Sequence, residues 1–265
     1  MNNEKIIIGA FVGDIIGSFY EVRNEKTVDF ELFSDRSRFT DDTVLTLATM
    51  DALLNQKNYT ESYQLYGRKY PKKRYGKSFF SWMLSDNPQP YNSWGNGSAM
   101  RVSPVGWYGN SIEEVMDEAK KSAEATHNHP EGIKGAQSTA VAVYMARTGK
   151  SKEEIKQFIM NTFQYDLERK IDDIRPTYEF DVSCQGSVPE AIIAFLESTD
   201  FENAVRLAIS LGGDSDTIAC ITGGIAEAYY KTIPNDIIEN VLKRLPIEFV
   251  NIIEFFSLKY RKKRL

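Results

Sequence analysis

Apolar residues recur along this chain at three- and four-residue intervals and almost never alternate with polar ones, a pattern that predicts helices rather than strands. From Ile6 to Tyr20 the chain is largely apolar, and Gly9, Gly13 and Gly17 repeat within it at every fourth residue. That spacing puts the glycines on one helical face, where missing side chains let another helix pack very close. Each Gly costs a soluble helix about 1 kcal/mol relative to Ala, so three in register imply a neighbour that needs the space. Glu21, at the end of this helix, reads as a surface acid. After Thr43, the residues Val44, Leu47, Ala48, Asp51 and Leu54 follow a mostly apolar helical face that ends near Asn55. Tyr59 to Tyr75 reads as a helix and a basic, tyrosine-rich turn, broken at Pro71. Ser111 caps a polar helix through Ala125, Pro130 opens an Ala-rich helix to Arg147, and Ser151 caps another to about Phe163. Pro189 and Asp200 mark the starts of two more, the second running into Gly212-Gly213. Ile218, Ile221, Ile225 and Ala228 keep a helical face beyond that loop, and two last helices begin near Pro234 and Pro246. The expected fold is all-α: a compact helical bundle in a single domain, residues 1–265, with no repeat, low-complexity segment or dividing linker.

At 265 residues, 42% hydrophobic and with a net charge of −5, the chain is long enough to bury a full core. The acidic balance gives no reason to expect nonspecific nucleic-acid binding, and the basic tail Lys259-Tyr260-Arg261-Lys262-Lys263-Arg264 reads as a solvated helix end. Only Cys184 and Cys220 occur, so there is no disulfide framework and no CxxC motif, which fits a reducing cytoplasm. The apolar N-terminal stretch contains Asp14 and three glycines, lacks a cleavage site and is too short to span a bilayer. A cytoplasmic monomer with no membrane partner is the expectation.

Two clusters of like chemistry stand far apart: Phe39-Thr40-Asp41-Asp42-Thr43 and Leu211-Gly212-Gly213-Asp214-Ser215-Asp216-Thr217. Each opens an apolar helical run, and Asp or Thr at that point is the ordinary N-cap signal. A cap, however, needs one such side chain, and consecutive acids repel each other unless a cation lies between them. Gly212 and Gly213 allow the positive φ that a tight ligand loop needs and a plain cap does not. Together the clusters supply four carboxylates and several hydroxyls, a donor set suited to a pair of hard divalent cations. A convergence of Asp41, Asp42, Asp214 and Asp216 is therefore expected.

Between the clusters, the loop Asn87-Pro88-Gln89-Pro90 leads into Tyr91-Asn92-Ser93-Trp94-Gly95-Asn96-Gly97-Ser98-Ala99-Met100-Arg101. Glycine-freed backbone N–H groups there form a candidate diphosphate cradle, although Gly-Asn-Gly is also an ordinary turn. Both histidines fall in Thr126-His127-Asn128-His129. With no third N or S ligand nearby, that pair is a poor zinc site, and a loop histidine making hydrogen bonds is the simpler reading.

The segments GAFVGDIIGSFYE, FTDDTVLTLA, SWGNGSAMR, ATHNHPEGIKGAQ and LGGDSDTIACITGGIAEA, in this order, resemble the ADP-ribosylglycohydrolase family over almost the whole chain. The resemblance implies a dinuclear Mg²⁺ or Mn²⁺ centre and cleavage of the N- or O-glycosidic bond between ADP-ribose and an acceptor. The acceptor side would be a protein or small molecule, with nucleic acid only as a modified substrate. By motif, the metal ligands would be Thr40, Asp41, Asp42, Asp214, Asp216 and Thr217. Ser93, Gly95, Asn96, Gly97 and His127 would bind substrate. Glu21 matches an acid that is mobile at the metal site in some members, which implies a catalytic part; the assignment of Arg101 stays open, because its motif position could serve the loop's own packing. Two other readings stand beside this one. A noncatalytic ADP-ribose binder would share the fold. An aspartyl-nucleophile phosphatase would share part of Asp214-Ser215-Asp216-Thr217, but the motif follows no clear strand and leaves only about 50 residues for a sheet.

Overall fold

The computed structural model of the chain describes residues 6–261; the end of the basic tail lies outside them. Among these residues, the regular structure is helical, with one isolated bridge between Gly95 and Ser183. The helices run, in order, α1 (Gly9–Gly17), α2 (Asp41–Asn55), α3 (Tyr59–Lys69), α4 (Lys77–Leu84), α5 (Gly97–Met100), α6 (Ser103–Tyr108), α7 (Ile112–Glu124) and α8 (Pro130–Arg147). They continue with α9 (Lys152–Phe163), α10 (Ile171–Ile174), α11 (Cys184–Glu197), α12 (Phe201–Ile209), α13 (Ser215–Tyr230), α14 (Asn235–Leu242) and α15 (Ile247–Tyr260). No helix of the described residues is long and apolar enough to cross a membrane.

Local chemistry explains most boundaries. Ser111 and Asp200 accept backbone N–H bonds at the starts of α7 and α12, and Ser151 with Glu154 forms a reciprocal capping box on α9. Pro130 is the first residue of α8, where its missing N–H costs nothing. Three expectations need correction. The helix expected to start at Pro189 starts at Cys184, because Ser183 caps it through the Gly186 N–H; Pro189 sits inside. The first helix ends at Gly17, which leaves Glu21 in the turn that follows. The short α4 was not expected, since Gly76 precedes it with no side-chain cap.

The fold centres on α13, whose residues from Ser215 to Ala228 are all buried, with α1, α8, α11 and α12 packed around it. A helix apolar on every face belongs in the middle of a bundle. The glycine face of α1 is what meets it. A Cβ on Gly13 would stand 1.9 Å from the Ala219 carbonyl oxygen, one on Gly9 2.3 Å from that of Gly223, and one on Gly17 2.6 Å from the Asp216 Cα. Helix α1 has no local side-chain cap, and Glu227 of α13 supplies one from across the contact. Its carboxylate accepts the N–H groups of Ile8 at 2.9 Å and Gly9 at 2.6 Å, and Arg261 at the end of α15 pairs with it at 2.6 Å. The buried charge is thus matched on both sides, as burial requires.

Gly13→Ala is expected to destabilise the protein by about 3 kcal/mol, the upper range for overpacking, because the obstructing atoms are backbone and cannot rotate away. Gly76→Ala, which meets nothing within 4 Å, serves as the control in urea denaturation. Equal midpoints for the two variants would refute the close contact.

Candidate metal centre and ligand cavity

The first acidic cluster begins as a cap. Thr40 Oγ1 accepts the Asp42 N–H at 3.3 Å, but the N-terminus of α2 is also capped from α1. Asp14 accepts the backbone N–H of Thr40 at 2.9 Å, that of Thr43 at 3.1 Å and the Thr40 hydroxyl at 2.6 Å. A carboxylate at a helix N-terminus sits where the unpaired N–H groups and the dipole favour it. The second cluster is not a cap at all. Asp214 precedes α13 yet makes no side-chain capping bond; its Oδ2 instead accepts the Asn96 amide at 2.7 Å. Gly212 at φ +74° and Gly213 at φ +66° make the turn, which side chains with a Cβ rarely adopt. Asn24 Oδ1 secures it by accepting the Gly213 N–H at 3.0 Å.

The clusters meet. Thr217 Oγ1 donates to Asp42 Oδ2 at 3.3 Å across 175 residues of sequence. Carboxylate oxygens of Asp14, Asp42 and Asp216 lie within 4.8 Å of one another, as do those of Glu21, Asp214 and Asp216. Asp41 stands beside them with partial solvent contact, close enough to feel Asp14, Asp214 and Glu21. Burial pushes Asp41, Asp42 and Asp216 well above the ordinary carboxylate range, and repulsion among the acids adds to it. Burial also raises Asp14 against its Thr40 and Thr43 hydrogen bonds, and raises Asp214 to about 6 against the Asn96 bond.

Among the described residues, Arg74 is the cation paired within this field, and Lys73 feels Asp14 from the same loop. Arg74 pairs with Glu21 and lies 3.9 Å from Asp216. Its loop is pinned there by the Asp41 N–H, which donates to the Lys73 carbonyl at 2.8 Å. One guanidinium does not neutralise six acids. Asp42 Oδ1 is buried with no hydrogen-bond partner, an arrangement that costs free energy unless something cationic binds it. An all-oxygen donor set with an orphaned carboxylate oxygen fits hard divalent ions.

Glu21, Asp41, Asp42, Asp214 and Asp216 form one end of a cavity of about 510 Å³, with Asp14 buried beside Asp42 and Asp216, and the glycine-rich loop and His127 form another part of its wall. The loop closes on itself. Ser93 Oγ accepts the Gly95 N–H at 3.2 Å, and the Asn96 N–H donates to the Val182 carbonyl at 2.8 Å, so two N–H groups of the expected cradle are already engaged. The Asn96 side chain reaches the acidic end through Asp214. Gly97 gives room to His127, since a Cβ there would lie 3.1 Å from Nε2. His129 does not join: its Nδ1 accepts the Glu131 N–H at 3.1 Å and caps α8. Phe180, 57% exposed, offers an aromatic face on the rim.

Sequence reading passed over Asp14 and Arg74. An acid alone in an apolar run was a signal, because a buried Asp demands partners. Arg74, in a basic turn, offered none.

The profile of the ADP-ribosylglycohydrolase family matches residues 4–261. The chain is 29% identical over 306 aligned positions to human (Homo sapiens) ADP-ribosylhydrolase ARH3, covering 84% of each protein. To ADP-ribosylhydrolase ARH3 of Danio rerio it is 26% identical, covering 84% of this chain and 81% of that protein. A solved structure described as an ADP-ribosylglycohydrolase-related protein complex shares the fold at a TM-score of 0.73 and 22% identity, covering 99% of both chains.

The raised acids fix a sign for stability. Folded carboxylates hold protons that the unfolded chain has released, so without divalent ions stability falls as pH rises from the ordinary Asp range through about 6 for Asp214 and higher for Asp42 and Asp216. Urea midpoints in EDTA should therefore drop between about pH 5 and about pH 7.5, and Mg²⁺ should restore them. A chelated protein that gains stability over this window would contradict the packing of these acids.

Proposed function

Since the chain belongs to the ADP-ribosylglycohydrolase family, we propose that it hydrolyses the glycosidic bond joining ADP-ribose to an acceptor, using a pair of Mg²⁺ or Mn²⁺ ions. The supporting observation is the meeting of six carboxylates: Glu21, Asp41, Asp42, Asp214 and Asp216 line one cavity with the glycine-rich loop, and Asp14 lies buried against Asp42 and Asp216. The names of the similar ARH3 proteins agree with this chemistry. The phosphatase reading lacks support, because Asp214 follows a helix and the described residues contain no sheet.

In this reading Asp41, Asp42, Asp214 and Asp216, with Thr40, Thr217 and the added Asp14, hold the metal pair. Bound there, the ions would supply Lewis-acid charge that offsets the acids and makes water a better nucleophile. The chain's own groups do the rest. Ser93, Gly95, Asn96 and Gly97 bound the space for the diphosphate and ribose, His127 lies beneath them, and the Phe180 ring suits a flat base. Glu21, at the acidic end and held by Arg74, handles the proton. The water oxygen bonds to ribosyl C1″ as the bond to the acceptor N or O breaks, and a proton from that water finishes on the departing atom. The proposed setting is a monomer in the cytoplasm acting on ADP-ribosylated proteins or small molecules.

A panel of ADP-ribosylated substrates assayed for free ADP-ribose tests this. Activity should vanish in EDTA and return better with Mg²⁺ or Mn²⁺ than with Zn²⁺. Glu21→Gln should lower kcat by roughly 10²- to 10⁴-fold while ADP-ribose binding holds. Binding of ADP-ribose with no turnover of any substrate would instead show a noncatalytic binder.

A further inference from the structure

Beside the glycine-rich loop lies an arginine that pairs with no carboxylate among the described residues. Arg101 is fully buried, its guanidinium 4.0 Å above the Tyr63 ring. Nη2 donates to the Ser122 carbonyl and to Thr126 Oγ1, each at 2.9 Å, while Nε and Nη1 have no hydrogen-bond partner. A guanidinium only donates, so the Thr126 oxygen must accept from it. Thr126 is itself fully buried, and its hydroxyl has one proton to place. The well-formed contact open to it is His127 Nδ1 at 2.7 Å, and the Tyr91 hydroxyl is a second, weaker acceptor in reach. If Nδ1 carried a proton instead, the Thr126 hydroxyl hydrogen would be left to the weaker contact with the Tyr91 hydroxyl, and a poorly satisfied buried donor is disfavoured. Nδ1 is therefore the accepting nitrogen, and Nε2 of the neutral ring bears the proton.

That N–H has no protein partner among the described residues, although His127 is only 5% exposed and lines the cavity. The loop is shaped around it. Cβ atoms on Gly97 and Gly95 would lie 3.1 Å and 3.7 Å from Nε2, and Tyr91 flanks the ring with centroids 5.9 Å apart. A buried, oriented donor left open toward a ligand cavity calls for an oxygen acceptor from the ligand.

We infer that Arg101 and Thr126 are positioning residues that lock His127 as its Nε2–H tautomer, so that it donates one hydrogen bond to an oxygen of bound ADP-ribose. The inference rests on the cavity being the ADP-ribose site. Consistent with a neutral ring, burial and the Arg101 charge both hold His127 well below the usual histidine range.

Nitrogen-15 NMR of the Mg²⁺-loaded protein reads the tautomer directly, because the chain has two histidines and His129→Asn assigns the other. The expected spectrum shows His127 protonated at Nε2 and bare at Nδ1. In Thr126→Val that signature should give way to a tautomer mixture, and calorimetry should show ADP-ribose binding weakened roughly tenfold. Thr126→Ser should rescue both, which a purely packing role for Thr126 does not predict. A wild-type ring protonated at Nδ1, or a Val variant with unchanged tautomer and affinity, overturns the inference. Should the Val variant fail to fold, the wild-type spectrum still decides the tautomer. An Nε2–H signature in a wild-type protein that does not bind ADP-ribose would uphold the lock and refute the ADP-ribose reading of the cavity.

Discussion

Backbone-to-backbone contact between α1 and α13 is the constraint on which the rest of the structure depends. With Gly13 against the Ala219 carbonyl and Gly17 against Asp216, no side chain separates the two helices along this face. The contact has two consequences at its ends. At one, Glu227 reaches the bare N–H groups of α1; at the other, Asp14 faces the N-terminus of α2 beside Asp216. Each helix start is thus capped by an acid from a neighbouring helix. The acidic centre exists because three helix ends are brought to one point by packing that glycine alone permits.

The magnitudes indicate that this centre is incomplete without cations. A helix N-terminus stabilises a nearby carboxylate by about 0.3–1 kcal/mol, up to about 2 when partly buried. Burying an ion costs several kcal/mol even after relaxation, and here the ions also repel each other. The hydrogen bonds from Thr40, Thr43, Thr217 and Asn96 offset part of this, and Arg74 supplies one opposing charge. Asp42 Oδ1 receives nothing. Such a group of acids is maintained at a cost in stability, and bound divalent ions would recover that cost through linkage.

What could be read from the sequence was whatever chemistry is local. The Gly9, Gly13 and Gly17 spacing announced a close neighbour, Ser111, Ser151 and Asp200 marked helix starts, and the excess acids at Thr40–Asp42 and Asp214–Asp216 argued for more than capping. The neighbour's identity was not legible, because contact between residues 13 and 219 depends on the whole bundle. Pro189 misled because proline favours a first turn, yet the Ser183 cap lies further upstream. Asp14 was missed for a related reason: its partners Thr40 and Thr43 lie 26 and 29 residues away. Asn96 was read for its backbone, whereas its amide holds Asp214.

The central claim is that packing on α1 assembles a divalent-cation centre from Asp14, Asp42, Asp214 and Asp216. Titrating the metal-stripped protein with Mn²⁺, while following free ion by electron paramagnetic resonance, addresses it most directly. The account predicts two ions bound per chain, with binding lost or sharply weakened in Asp14→Asn as well as in Asp216→Asn. Free Mn²⁺ rising from the first addition as it does in buffer alone, or full binding retained without Asp14, would contradict it.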